Sequence, residues 1–186
     1  MILPIYGYGF SVLKKECEPI DKNFPGLQNL IANMWETMYN ASGVGLAAPQ
    51  IGKEIRLFIV DTQQLKEEED EEKGIKKVFI NAEIVSEEGE EWAYEEGCLS
   101  IPFIRADVFR QPKVTIEYYD QNFRKHVETF NGIEARVVQH EYDHIDGVLF
   151  VDHLTPLKKK MMKRKLEAIR KGNIEPDYRM KYAAPK

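Results

Sequence analysis

Gln139-His140-Glu141-Tyr142-Asp143-His144-Ile145-Asp146-Gly147 contains His-Glu-x-x-His, a spacing that sets two imidazoles on one face of a helix with a carboxylate beside them. Such a pair suits a metal ion that activates water. A helix beginning near Gly132, after the turn signal Asn131-Gly132, puts Ile133, Val137, His140 and His144 on one stripe. The histidines thus continue an apolar, inward-facing row, with Glu141 next to it and within reach of a water held there. The competing reading is two buried histidines with backbone partners and an exposed glutamate. The paired spacing with a glutamate between counts against it.

Working outward, residues 114–119 and 124–130 flank Asp120-Gln121-Asn122 and read as a β-hairpin leading into that helix. Residues 56–60 and 76–85 read as strands, and the acidic run Glu67-Glu68-Glu69-Asp70-Glu71-Glu72 between them as a solvated loop. Leu27, Leu30, Ile31, Met34 and Met38 recur at helical spacing after Asn23 and Pro25. They predict an amphipathic helix ending near Ser42-Gly43, with Trp35 as a packing residue. A last helix is expected from 156 to about 171, with Met162, Leu166 and Ile169 as its stripe. The order helix, strands, helix, helix predicts an α+β fold. Mainly antiparallel sheets would surround the central metal-binding helix, with an N-terminal and a C-terminal helix. Residues 1–171 are expected to form a single catalytic domain and 172–186 an irregular tail.

The composition fits a soluble globular chain: 31% charged, 43% hydrophobic, and 186 residues are enough for one core. A net charge of −5 counts against a nucleic-acid-binding surface, so DNA is not an expected partner. No apolar run is long enough for a membrane span, and the Met1-Ile2-Leu3-Pro4-Ile5-Tyr6 start lacks the features of a signal or transit peptide. Two cysteines, Cys17 and Cys98, do not make a disulfide framework. Cytoplasmic residence is the expectation.

Two histidines leave a catalytic site one ligand short. The spacing that supplies a further histidine in some zinc peptidases is missing after His144, His153 is misplaced for it, and Glu167 sits in a strongly basic helix. Cys98, in Glu95-Glu96-Gly97-Cys98-Leu99-Ser100-Ile101-Pro102, is the better candidate, although a lone cysteine also reads as a small buried apolar residue. A third segment, Gly43-Val44-Gly45-Leu46-Ala47-Ala48-Pro49-Gln50, is built of small residues that let a backbone or ligand approach closely. It lacks the third glycine of a dinucleotide fingerprint.

Taken in order, Gly43–Gln50, Glu96–Ser100 and Gln139–Gly147 resemble the three signature motifs of bacterial peptide deformylase, and the resemblance extends from Leu3 to about Lys171. The departures touch no proposed ligand: Ser11-Val12-Leu13-Lys14 stands where the family often has a proline and an arginine, Ile145 replaces a common leucine, and the acidic loop is long. The resemblance implies hydrolysis of the formyl group from the N-terminal formyl-methionine of nascent peptides. It implies one divalent metal on Cys98, His140 and His144, ferrous iron in cells, with zinc, nickel or cobalt as substitutes. Glu141 is then the general base and acid, Gln50 and the Leu99 N–H are oxyanion donors, and Gly45 is a further member of the implied catalytic set. Val44, Gly45, Tyr94, Glu96, Arg105, Ile133 and Val137 are the implied substrate contacts, with the peptide docked as an added strand. Two alternatives stay open on the residues alone. One is a peptidase with a third ligand other than Cys98. The other is a closed structural site that recruits Cys17, His126 or His153.

Residues 158–171 carry eight bases against one acid, Glu167, a net +7 that leaves −12 on the remainder. The asymmetry fits either a solvated basic face or a surface that docks on the ribosome.

Overall fold

The computed structural model describes residues 1–68, 70–71 and 73–185. Its elements are β1 (Ile5–Tyr6), α1 (Leu27–Asn40), β2 (Gly45–Ala47), β3 (Leu57–Asp61), β4 (Lys76–Glu88), β5 (Trp92–Cys98), β6 (Ile101–Arg110), β7 (Lys113–Tyr119), β8 (Lys125–Asn131), α2 (Gly132–Ile145), α3 (Pro156–Arg170) and β9 (Met180–Lys181). The five-stranded sheet has the order β2-β3-β4-β7-β8 with every pair antiparallel, and β5 and β6 form a separate hairpin. This is the expected α+β architecture.

Burial patterns explain the layers. Leu57, Ile59, Val78 and Ile80 face Leu27, Ile31, Met34 and Met38 of α1. From the other side of the same strands, Phe58, Val60 and Phe79 face Ala135, Val138 and Ile145 of α2. Strand β3 is covered on both faces, which is why it reads as an unbroken apolar run rather than an alternation. Strand β7 alternates, with Val114, Ile116 and Tyr118 inward and the residues between half-buried. Phe79 is central to the layer beneath α2. Its ring centroid lies 4.6 Å from that of Phe58 and 4.4 Å from that of Tyr118. A third cluster joins α3 to β6 and the turn at 150–153 through Ile104, Val108, Phe150, Leu166 and Ile169.

The 120–122 turn joins β7 and β8 as the sequence predicts, and α2 begins at Gly132. The β5–β6 hairpin is not visible in the sequence, because β5 carries adjacent glutamates with no clean alternation of buried and exposed positions, and β6 is interrupted by Pro102 and by charges on its outer face. The segment after Gly172 needs a correction. It was read as irregular, yet β9 pairs in parallel with β1, joining Ile5 to Met180 and Tyr6 to Lys181. A two-residue strand carries no periodicity to detect. In the acidic run, Glu67, Glu68, Asp70 and Glu71 are exposed and outside regular structure, whereas Glu69 and Glu72 lie outside the described residues. Among the described residues, no helix is long and apolar enough to cross a membrane.

Truncating Phe79 to alanine should cost about 3–5 kcal/mol, because a fully buried aromatic leaves a cavity that the sheet cannot close. Urea unfolding of the metal-free protein measures it, and a loss below about 1 kcal/mol would show that Phe79 is not a keystone of that layer.

Candidate metal centre

Helix α2 lies across the sheet, and its spacing delivers three functional side chains to one place. His140 and His144 sit one turn apart with ring centroids 5.2 Å from each other. Cys98 ends β5, and its Sγ lies 3.4 Å from His144 Nε2. Donor atoms of Cys98, His140 and His144 all lie within 4.8 Å of one another, and this is the metal-capable group found among the described residues. Cys17 is buried in the core beneath α2, His126 is bonded to Asp120, and His153 is bonded to Asp143 at 2.7 Å. None of the three joins the cluster, so the closed four-ligand arrangement does not form.

One thiol and two imidazoles, with no fourth donor in the group among the described residues, fit a site that would hold a divalent ion and leave a position open. The buried His144 Nδ1 and Glu141 Oε2 have no hydrogen-bond partner among the described groups. Burial and the neighbouring His140 charge push the His144 pKa down to about 3, so this ring is neutral, the form that binds metal. At His140 burial also disfavours charge, but the Cys98 sulfur and the Glu96 carboxylate outweigh it and raise the pKa. The Glu96 carboxylate takes His140 Nδ1 at 2.8 Å, which leaves Nε2 as the free donor.

Glu96 has a structural part that the sequence did not show. It borders the pocket, but its oxygens also accept from Arg110 Nε (2.8 Å), Arg110 Nη2 (3.0 Å) and Arg136 Nη1 (2.8 Å). Burial works against its charge, yet the bonds from His140 and Arg110 hold its pKa well below the usual carboxylate range. With its oxygens so committed, Glu96 also holds His140 in place. Arg110 extends the network to Asp143 at 2.9 Å. Arg110 and Arg136 escaped the sequence reading. Arg136 stands one turn before His140 on the inward face of α2, and a charge there was the available signal.

Glu141 is buried, and burial raises its pKa to about 7. A Cβ on Gly45 would come within 2.4 Å of Glu141 Oε1, so glycine is needed for β2 to pass the carboxylate. The Gln50 side chain is oriented by Ala47 N–H donating to its Oε1 at 2.9 Å. Its Nε2 therefore points to Cys98 Sγ (3.4 Å) and Ser100 Oγ (3.2 Å).

A cavity of about 470 Å³ opens over these groups. Val44, Gly45, Gln50, Tyr94, Glu96, Cys98, Leu99, Arg105, Ile133, Val137, His140 and Glu141 all border it, as do Leu65 and Phe103, which the sequence reading missed. Phe103 is exposed and adopts φ +65°, in a bulge where β6 slips register against β5.

The family model described as Polypeptide deformylase matches residues 2–160. The chain belongs to that family. A peptide deformylase of Flavobacterium psychrophilum is 58% identical over the full length of both chains, and one from Cytophaga hutchinsonii is 51% identical, again over both chains in full. The crystal structure of a peptide deformylase from Legionella pneumophila superposes with a TM-score of 0.81 at 40% identity, covering 93% of this chain and 98% of that one. As a member of the deformylase family the chain is an enzyme, a metal-dependent hydrolase.

Replacing Glu96 with glutamine removes the charge that holds Arg110, Arg136 and His140. Metal affinity should fall about 10–100-fold, the usual loss when the group behind a ligand histidine is changed. Competition against a metallochromic chelator reads it, and an unchanged affinity would show that His140 is held by other contacts.

Proposed function

We propose that this enzyme hydrolyses the formyl group from the N-terminal formyl-methionine of newly made polypeptides in the cytoplasm, releasing formate and a free amine. The observation that carries the reading is the Cys98–His140–His144 donor set beside an unpartnered oxygen of Glu141, with Cys98, His140 and Glu141 on the wall of one cavity. We take residues 1–171 as the catalytic domain. A divalent ion held there, ferrous iron in the cell with zinc, nickel or cobalt as substitutes, supplies Lewis acidity that makes water a stronger acid.

The chain's own residues do the rest. Glu141 takes a proton from the attacking water and delivers it to the nitrogen as the carbon–nitrogen bond breaks. A carboxyl group near pKa 7 is suited to both transfers at neutral pH. The formyl oxygen gains charge as the carbon becomes tetrahedral. The Gln50 amide and the Leu99 N–H stand beside Cys98 to donate to it, each such donor supplying about 3 kcal/mol. Gly45 contributes by its lack of a side chain, which leaves room for Glu141. Ile133 and Val137 offer an apolar wall for the methionine side chain. Strand β2 has β3 on one side only, so an extended peptide can add along Val44-Gly45 and continue toward Tyr94 and Arg105.

The outer face of α3 presents Lys158, Lys160, Lys163 and Arg164 to solvent, while Leu166 and Ile169 pack inward. We read this face as a docking surface for the ribosome, whose phosphates would attract it. Glu167 pairs with Arg170 and Lys171 and so leaves the earlier bases uncompensated along the helix.

Formate release from a formyl-methionyl peptide is the decisive assay; a metal-loaded protein that releases none disproves the proposal. In the Glu141→Gln variant, metal content should persist while turnover falls by about 10²-fold or more, the range of an acid–base contribution. Wild-type turnover in that variant would remove Glu141 from the proton path. Changing Lys159, Lys160, Lys163 and Arg164 to glutamine should weaken salt-sensitive co-sedimentation with ribosomes and spare hydrolysis of short peptides. Co-sedimentation unaffected by the four changes would end the docking idea.

A further inference from the structure

The matched family region stops at residue 160, yet the chain beyond it reaches the metal centre. Tyr178 Oη donates to the Leu99 carbonyl at 2.8 Å. Leu99 and Ser100 are the two-residue turn between β5 and β6, and they follow the ligand Cys98 directly. Three other parts of the chain hold this turn. The backbone N–H of Tyr8 donates to Ser100 O at 2.9 Å, and Gln50 Nε2 donates to Ser100 Oγ at 3.2 Å. Tyr178 supplies the hold on Leu99, the residue between the ligand and Ser100.

Tyr178 is itself fixed by its neighbours. Ile5 N–H donates to Arg179 O at 2.9 Å and Gly7 N–H to Lys181 O at 3.0 Å, so the tail is zipped to β1. Lys181 Nζ lies 5.0 Å from the Tyr6 ring centre. Farther on, Ala184 N–H donates to Arg170 O at 2.9 Å, which returns the tail to α3. The N-terminal segment and the tail therefore form one clamp with two grips on the turn, Tyr8 on Ser100 and Tyr178 on Leu99.

We propose that Tyr178 is a positioning residue for the metal centre, setting the Cys98-Leu99-Ser100 turn so that the thiol and the Leu99 N–H keep their places relative to His140 and His144. The role rests on the proposed function for its catalytic consequence, but not for its effect on metal retention. A two-residue turn can rock about the ends of its strands, and a misplaced ligand or donor weakens both metal binding and transition-state contacts.

The test compares Tyr178→Phe, which keeps the ring and removes the hydroxyl, with wild type in the full chain. Tyr182→Phe serves as the control, because among the described residues the Tyr182 hydroxyl donates to Ile174 O within the tail and not to the turn. Nickel-loaded protein is challenged with excess chelator, cobalt-loaded protein is read at its sulfur-to-cobalt charge-transfer band, and kcat and KM are measured on a formyl-methionyl peptide. Tyr178→Phe should release nickel about fivefold faster, the factor one net hydrogen bond contributes. Its cobalt band should shift, and kcat should fall by a similar factor with KM within about twofold. Tyr182→Phe should match wild type in all three. Equal release rates and an unshifted band in Tyr178→Phe would overturn the proposal. So would a lowered melting temperature with release, band and kcat unchanged, since the bond would then serve the fold alone. Equal defects in both variants would also overturn it. A wild-type protein that binds nickel but hydrolyses no formyl-peptide would refute the proposed function while leaving the release comparison intact.

Discussion

One buried carboxylate ties the active site together. Glu96 stands on β5, Arg110 on β6, and Arg136 and His140 on α2, so the bonds around its two oxygens join the small hairpin to the central helix. The pairing of Glu96 with two buried guanidinium groups offsets their desolvation. Removing one member of such a group typically costs about 3–5 kcal/mol, because the remaining charges stay buried without a partner. The buried apolar residues of the hairpin and of α2 belong to different clusters, so the network has two functions. It seats β5 against the helix, which brings Cys98 to the histidines, and it fixes which nitrogen of His140 is free.

The network also explains how much of the site could be read from the sequence. His140, Glu141 and His144 share one helix, where a spacing of four residues has a single geometric meaning, so their convergence follows from local rules. Cys98 comes from another element, and its approach to the histidines is set by strand pairing that no local spacing encodes. It entered the reading as the better third-ligand candidate once His153 and Glu167 were set aside, and the resemblance carried by its flanking residues then implied it. Glu96 was legible as a neighbour of the site but not as a support for His140, because its arginine partners lie on two other elements. Among the helices, 27–40, 132–145 and 156–170 were all marked by apolar stripes. The hairpin β5–β6 was not, since its outer face is exposed and its inner face buries Glu96 and Arg110 where an apolar pattern would be expected.

Small residues complete the geometry from the sheet side. A Cβ on Gly43 would come within 2.7 Å of Leu99 Cδ1, and one on Gly45 would strike Glu141. The sequence showed that something passes close to this segment, but not what. The structure identifies two different neighbours, the turn beside Cys98 and the buried carboxylate of Glu141. Edge strand β2 therefore sets the distance between the sheet and the metal helix at the point where chemistry takes place.

The pairing of β1 with β9 joins Tyr6 to Lys181, 175 positions apart. Contacts so distant along a chain close late, since the intervening loop entropy must be overcome first. During synthesis the ordering is stricter. The sheet and the metal helix can assemble while translation continues, but the grip on Leu99 closes only after the segment around residue 180 has emerged. The brace on the turn that follows Cys98 thus becomes available only after the sheet and helix α2 have both been made.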